Sequence, residues 1–236
     1  ASRKKLFEER KKRIRPIKDD KILTDWNGLM IAALAYGGQI LNEISYIESA
    51  ERAANFIYEN LQEKDGRLLK SFRNGYAGIT PHLDDYAYMI WGLLNLYEST
   101  YKVFYLSWSI DLAEIMKIDF FDEEGGFFIG SKNSEKLIVR AKSGHDSVMP
   151  SGNSVAITNF FRLGKITGEK KWIDFSKKSL AAFTEQAKKT PTGFSNMLTG
   201  FISYDKNSKV IVIAAKSYDT NVCKMIQEIK SIYSPN

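Results

Sequence analysis

The chain has 236 residues, 44% of them apolar and 26% charged, which is enough for one large domain with a substantial core. Its formal net charge of +6 suggests nucleic-acid affinity at first, but much of the excess falls within residues 3–18 and the rest is scattered over helix faces, which argues against such a partner. A single cysteine, Cys223, excludes an intrachain disulfide and a thiolate metal cluster and fits a cytoplasmic setting, while no apolar run approaches the ~20 residues of a membrane span and no signal peptide is visible.

Residues 3–13 read as a basic amphipathic helix stopped by Pro16. Residues 25–42 are apolar nearly all round, the pattern of a helix buried on every side. Residues 47–63 carry apolar residues at helical spacing with charges between, so one face is expected to be buried. The pairing returns with 85–99 apolar and 106–118 amphipathic, and again with 153–166 and 172–188. Residues 194–204 read as a fourth inner helix, 210–215 (VIVIAA) as one strand, and 218–232 as a closing helix. The Gly-Phe-Phe turn and residues 136–141 suggest short hairpins between units. No low-complexity linker divides the chain, so residues 1–236 are expected to form one domain.

One unit thus occurs three times, at a spacing of about sixty residues. It is a polar loop, an apolar helix, an amphipathic helix and a glycine turn. The openings are Thr24-Asp25-Trp26-Asn27-Gly28, Leu83-Asp84-Asp85-Tyr86 and Pro150-Ser151-Gly152-Asn153-Ser154. The turns fall at Asp65-Gly66, Gly125-Gly126 and Thr192-Gly193. Buried helices alternating with half-exposed ones predict an all-α fold of two concentric layers, an (α/α) toroid, with a short strand near the C-terminus. Three full copies are legible where a closed six-hairpin ring repeats the unit six times. The ring is therefore expected to be incomplete, an open arc or one completed by a missing segment or another subunit. Its open edges would favour self-association.

The polar openings gather candidate chemistry on one rim. Asp25, Asp84, Asp85, Ser151 and Asn153 stand at helix starts, where a side-chain oxygen accepts the orphan N–H groups of the first turn, so simple capping is one reading. Because Asp84 and Asp85 are adjacent, one can cap and the other can face a cavity. The positive helix ends should keep these carboxylates ionised, which suits a base, a nucleophile or a polyol acceptor better than a general acid. Trp26 and Tyr86 lie beside the acids, and a ring next to hydrogen-bonding carboxylates suits a sugar; Tyr88 reads as core. His82 and His145 each precede an aspartate, Asp84 and Asp146, as an oriented base would; exposed loop histidines are the other reading. Arg140 and Lys142 share a polar loop able to hold a carboxylate or phosphate. Two histidines and scattered acids do not make a metal site, and no cofactor-binding fingerprint is present.

The segments 19–30 (DDKILTDWNGLM), 83–88 (LDDYAY), 125–128 (GGFF) and 150–154 (PSGNS), in this order, resemble the C-terminal helical portion of the thioredoxin-containing spermatogenesis-associated protein family. The resemblance covers nearly the whole chain. It implies a toroid of the six-hairpin glycosidase type, akin to N-acylglucosamine 2-epimerases and unsaturated glucuronyl hydrolases. It also implies a longer architecture, whose thioredoxin-like domain and early hairpins are missing from this sequence. By family match, Asp25, Trp26, Asn27, Asp84, Asp85, Tyr86, Arg140, Asp146, Ser151 and Asn153 are the motif residues.

Two classes of function remain open. A carbohydrate-active enzyme would use two carboxylates from Asp25, Asp84, Asp85 and Asp146 as a hydrolase, or His82 or His145 as the base of an epimerase, on a small sugar-like ligand. A binding or scaffold module would keep the rim without turnover, or the chain would be a fragment whose site needs further hairpins.

Overall fold

The computed structural model describes residues 2–135, 138–205, 211–215 and 220–231. After α1 (Ser2–Lys11), which buries no residue, the helices form in pairs. Helices α2 (Thr24–Leu41), α4 (Leu83–Thr100), α6 (Gly152–Thr167) and α8 (Ser195–Asp205) form an inner series, each packed on the next. Helices α3 (Ile44–Asn60), α5 (Val103–Phe120) and α7 (Lys170–Lys189) return along the outside, each against its own inner helix. This is the two-layered (α/α) toroid arrangement that the alternating patterns predict. A last helix, α9 (Thr220–Ser231), approaches α2. No described helix is long and apolar enough to cross a membrane.

The inner helices end where the chain takes a left-handed residue. Asn42 (φ 53°), Tyr101 (φ 57°) and Gly168 (φ 74°) close α2, α4 and α6 with backbone N–H bonds to the last turn. Outer helices then carry the chain back to the rim. There a small antiparallel sheet forms from β1 (Ile22–Leu23), β2 (Ser71–Arg73) and β3 (Tyr76–Gly78), with Ile22 opposite Phe72 and Ser71 opposite Gly78. Thr24 N–H donates to the Lys70 carbonyl and Thr24 Oγ1 to that of Leu69, so the start of α2 is stitched to this connection.

Contact between inner helices reaches the backbone. A Cβ on Gly28 would lie 2.6 Å from the Tyr88 carbonyl carbon, and one on Gly92 would lie 2.9 Å from the Gly28 carbonyl oxygen. Polar side chains use the same proximity. Asn95 Nδ2 donates to the Ala32 carbonyl across α4 and α2, and Asn159 Nδ2 to that of Ala87 across α6 and α4. Around these contacts lies a single large core, from Ile31 and Ala35 through Met89, Leu93 and Leu112 to Phe160 and Trp172.

Two expectations fail. Helix α2 is not buried on every side, for Trp26, Met30, Ile40 and Leu41 are exposed. It is the first of the inner series, so only one flank meets another inner helix, and sequence pattern cannot tell the first helix from a middle one. Residues 211–215 form no strand: Ile211 and Val212 are solvent-exposed, and β-branched content makes a strand only where an edge offers partners. Val210, Tyr218, Ile232 and residues 136–137 lie outside the described residues.

Alanine at Gly28 should gain up to ~1 kcal/mol of helix propensity but lose more to the backbone clash with α4, since overpacking costs ~1–3 kcal/mol. Gly37→Ala meets only the Tyr46 ring at 4.0 Å and should keep the propensity gain. Thermal unfolding followed by circular dichroism is expected to show a lower Tm for Gly28→Ala and an equal or higher one for Gly37→Ala.

Candidate functional site

The N-termini of α2, α4 and α6 meet on one rim, and Asp85 fastens the first two. Its Oδ1 accepts the backbone N–H of Asp25 at 3.1 Å and its Oδ2 that of His82 at 2.7 Å. It is wholly buried. Asp25, nearly as buried, accepts the Trp26 N–H through Oδ1. Lys70, carried by the connection that leads into β2, sets its ammonium 3.2 Å from Asp25 Oδ2 and 3.3 Å from Asp85 Oδ2. Burial works to depress the Lys70 pKa, but the charges of Asp85 and Asp25 prevail and hold it above the usual lysine value.

Asp84 turns the other way, toward α6. Its carboxylate accepts the N–H of Gly152, the first residue of that helix, where a Cβ would overlap Asp84 Oδ1. Only glycine leaves this room. Tyr88, one turn further along α4, donates its hydroxyl to the Pro150 carbonyl at 2.5 Å. Burial raises the Tyr88 pKa most, and the charges of Asp84, Asp25, Asp146 and Asp85 all add to that shift. His82 is exposed above them; burial and the nearby Lys70 charge lower its pKa, against the pull of Asp84 and Asp25.

These surroundings overturn the expectation of fully ionised carboxylates. Burial is the main cause of a raised Asp84 pKa; Asp25 adds to it, and Lys70 and the Gly152 N–H oppose it. For Asp85, burial outweighs Lys70 and the His82 N–H and lifts the carboxyl to about 7. Helix ends favour an anion only as far as the site stays wet enough to solvate it. A carboxyl that holds its proton near neutrality can serve as an acid as well as a base.

The other candidates separate by what they touch. Asp146 is committed to the backbone, accepting the N–H groups of Ser151, Asn196 and Met197, and so anchors the start of α8. His145 rests on Phe194 and Gly193 with Nδ1 2.8 Å from the Asp146 carbonyl oxygen, and no contact joins it to His82. Tyr86 is a core residue, not a rim ring: it is wholly buried and its hydroxyl accepts the Leu68 N–H. Trp26 is on the rim and 58% exposed. Asn27 ties back to the Leu23 carbonyl. Ser151 caps α6 by accepting the Ser154 N–H, whereas Asn153, buried, clamps Phe127 and the Ser143 carbonyl. Arg140 and Lys142 are both engaged by protein groups. Arg140 lies on Phe128 and donates to the Asp119 and Gly130 carbonyls, and Lys142 is bound to Asp122 and the Gly125 carbonyl. Asp25 is not an N-cap either, since Leu23 occupies that position. Among the described residues no three His, Cys, Asp or Glu side chains are placed to hold a metal ion.

Lys70, Tyr88 and Gly152 were not legible as site residues. Lys70 sits in a connection with no motif around it, and Tyr88 falls on a helix face that reads as core. Gly152 did carry a signal, a glycine at the very start of a helix inside Ser-Gly-Asn-Ser.

No family model matches the chain. It is 32% identical to spermatogenesis-associated protein 20 of Homo sapiens over 243 residues, which is 98% of this chain and 31% of that protein. The resemblance carried by the four motifs therefore extends along the chain, which spans about a third of the length of the curated relatives it matches. Among solved structures, a GH76 α-mannanase of Bacteroides thetaiotaomicron superposes with a TM-score of 0.63 at 15% identity, covering 92% of this chain and 59% of that one. A sugar epimerase from a ruminal bacterium gives 0.60 at 17% identity, with 72% and 45% covered. An inactive α-1,6-mannanase variant of Salegentibacter, with two adjacent aspartates replaced by asparagine and α-1,6-mannotriose bound, gives 0.56 at 16% identity, with 68% and 46% covered. The fold is that of the six-hairpin toroids.

A carboxyl with a pKa near 7 in the folded chain and near 3.8 when unfolded keeps a proton that the unfolded chain releases. The stability it contributes is present below about pH 4 and is lost as pH rises toward 7. Chemical denaturation from pH 4 to 7 should show wild type losing stability relative to Asp85→Asn across that window. Parallel curves for the two proteins would contradict the assignment.

Proposed function

We propose that the chain supplies the acid-lined rim of a carbohydrate-active, six-hairpin toroid, and that residues 1–236 act as one part of a longer toroid. The observation that carries this reading is Asp84. It is half-buried, its pKa is raised, and it sits where three helix N-termini converge, with Asp25, Lys70 and His82 close enough to shift its pKa. Asp84 is then the proton-transferring group. In a hydrolase it would protonate the leaving oxygen, with Asp25 as the second carboxylate. In an epimerase it or His82 would move a proton at the carbon next to a carbonyl. Trp26 offers its face to the C–H side of a sugar ring. The fold likeness to mannanases and sugar epimerases supports the ligand class, and the mannanase variant that is inactive with two neighbouring aspartates replaced supports the Asp84-Asp85 pair.

A specific observation keeps a second reading, a glycan-binding module without turnover. Asp85 and Asp146 spend their oxygens on backbone N–H groups, and Asp25 shares its own with Trp26 and Lys70, so the pool of free carboxylates is smaller than four aspartates suggest.

Turnover of a glycan panel by the chain and by its Asp84→Asn variant separates these readings. Loss of about 10²-fold or more with an unchanged Tm is expected of the proton-transferring group. Equal turnover on any substrate found would overturn the role of Asp84, and binding without turnover would establish the module. Where turnover is found with Asp84 as general acid, Lys70→Met removes a cation that lowers the Asp84 pKa, so the alkaline limb of the pH–rate profile should move to higher pH.

A further inference from the structure

A cavity of about 680 Å3 lies away from the rim, on the outer layer between α3 and α5, closed at one end by the turn at residues 62–66. Three aromatic rings form its floor. Tyr58 meets Phe104 edge-on (5.3 Å, 80°) and Trp108 edge-on (5.0 Å, 82°). Tyr58 and Phe104 are 46% and 44% exposed, so both present ring surface to the groove. Trp108 is 3% exposed, and its indole Nε1–H has no hydrogen-bond partner among the described residues. Two carboxylates, Glu63 and Asp111, and one cation, Lys64, also line the wall and form no ion pair among the described residues, whereas Asp65 and Glu114 beside them are engaged by Arg67 and by Lys117 and Lys171.

Each part asks for something different. The rings offer flat faces to C–H groups. The Lys64 ammonium needs an acceptor. The carboxylates need donors. A cationic side chain would answer the carboxylates and rings but be repelled by Lys64, and an anion would answer Lys64 but be repelled by Glu63 and Asp111. A hydroxylated ring answers all three, since each hydroxyl both donates and accepts and the ring carries a C–H face. The volume falls in the range of small-ligand sites, roughly 300–1,000 Å3. We infer that the groove between α3 and α5 is a second carbohydrate site, which binds a neutral oligosaccharide outside the ring and independently of the aspartate rim.

Titration of the chain with a panel of neutral tri- and tetrasaccharides, followed by tryptophan fluorescence and ligand-observed NMR, tests this. Saturable binding is expected for at least one member of the panel. Tyr58→Ala and Asp111→Asn, both at exposed positions and checked for unchanged circular dichroism, should each weaken it by about tenfold or more. Asp84→Asn should leave it unaltered, which separates the fate of this site from that of the rim. The inference is overturned if no saccharide of the panel binds, if Asp84→Asn abolishes binding while Tyr58→Ala spares it, or if trilysine displaces the saccharide.

Discussion

The rim exists because the inner helices touch backbone to backbone. Helices α2 and α4 approach so closely at Gly28 that no side chain fits beneath Tyr88, and α6 begins against Asp84 at a residue that must also be glycine. With larger residues at these points the helix axes would move apart by about the width of a methyl group or more, toward the upper end of the 8–10 Å at which helices pack. The N-termini would then no longer share one set of aspartates. The chemistry of the rim therefore depends first on two absent Cβ atoms.

Close helix starts create an electrostatic problem, and the structure answers it with unequal roles. Several carboxylates brought together in a partly dry site cannot all stay ionised at low cost. Lys70 neutralises part of the charge between Asp25 and Asp85. Backbone N–H groups of His82, Asp25, Ser151 and Asn196 take up Asp85 and Asp146. Asp84 receives the least compensation of the adjacent pair's two members from protein donors, and it is also the more open to ligand. Adjacent aspartates on one helix turn are thus a structural residue and a chemical one, because side chains one position apart on a helix point about 100° away from each other.

The outer layer shows the same economy of charge. Several of its acids are matched to a lysine or arginine, as Glu51 is to Lys102 and Glu114 to Lys117 and Lys171. Glu63 and Asp111, without an ion pair among the described residues, line the groove between α3 and α5 beside the exposed rings of Tyr58 and Phe104.

The amino-acid sequence by itself determined the helices, their pairing and the side of the molecule on which polar residues gather. Hydrophobic periodicity and glycine turns are local, and each hairpin writes them within about sixty residues. It also determined that Asp25, Asp84 and Asp85 lie on that side. Only the tertiary structure decided which aspartate keeps a free oxygen, that Tyr86 turns into the core while Tyr88 reaches the Pro150 carbonyl, and that Arg140 and Lys142 are spent on loop backbone and Asp122. It also supplied Lys70, 45 residues from Asp25 in the chain and 3.2 Å from it in space. Those outcomes turn on burial and on contacts between repeats, and neither is carried by the pattern within any one repeat.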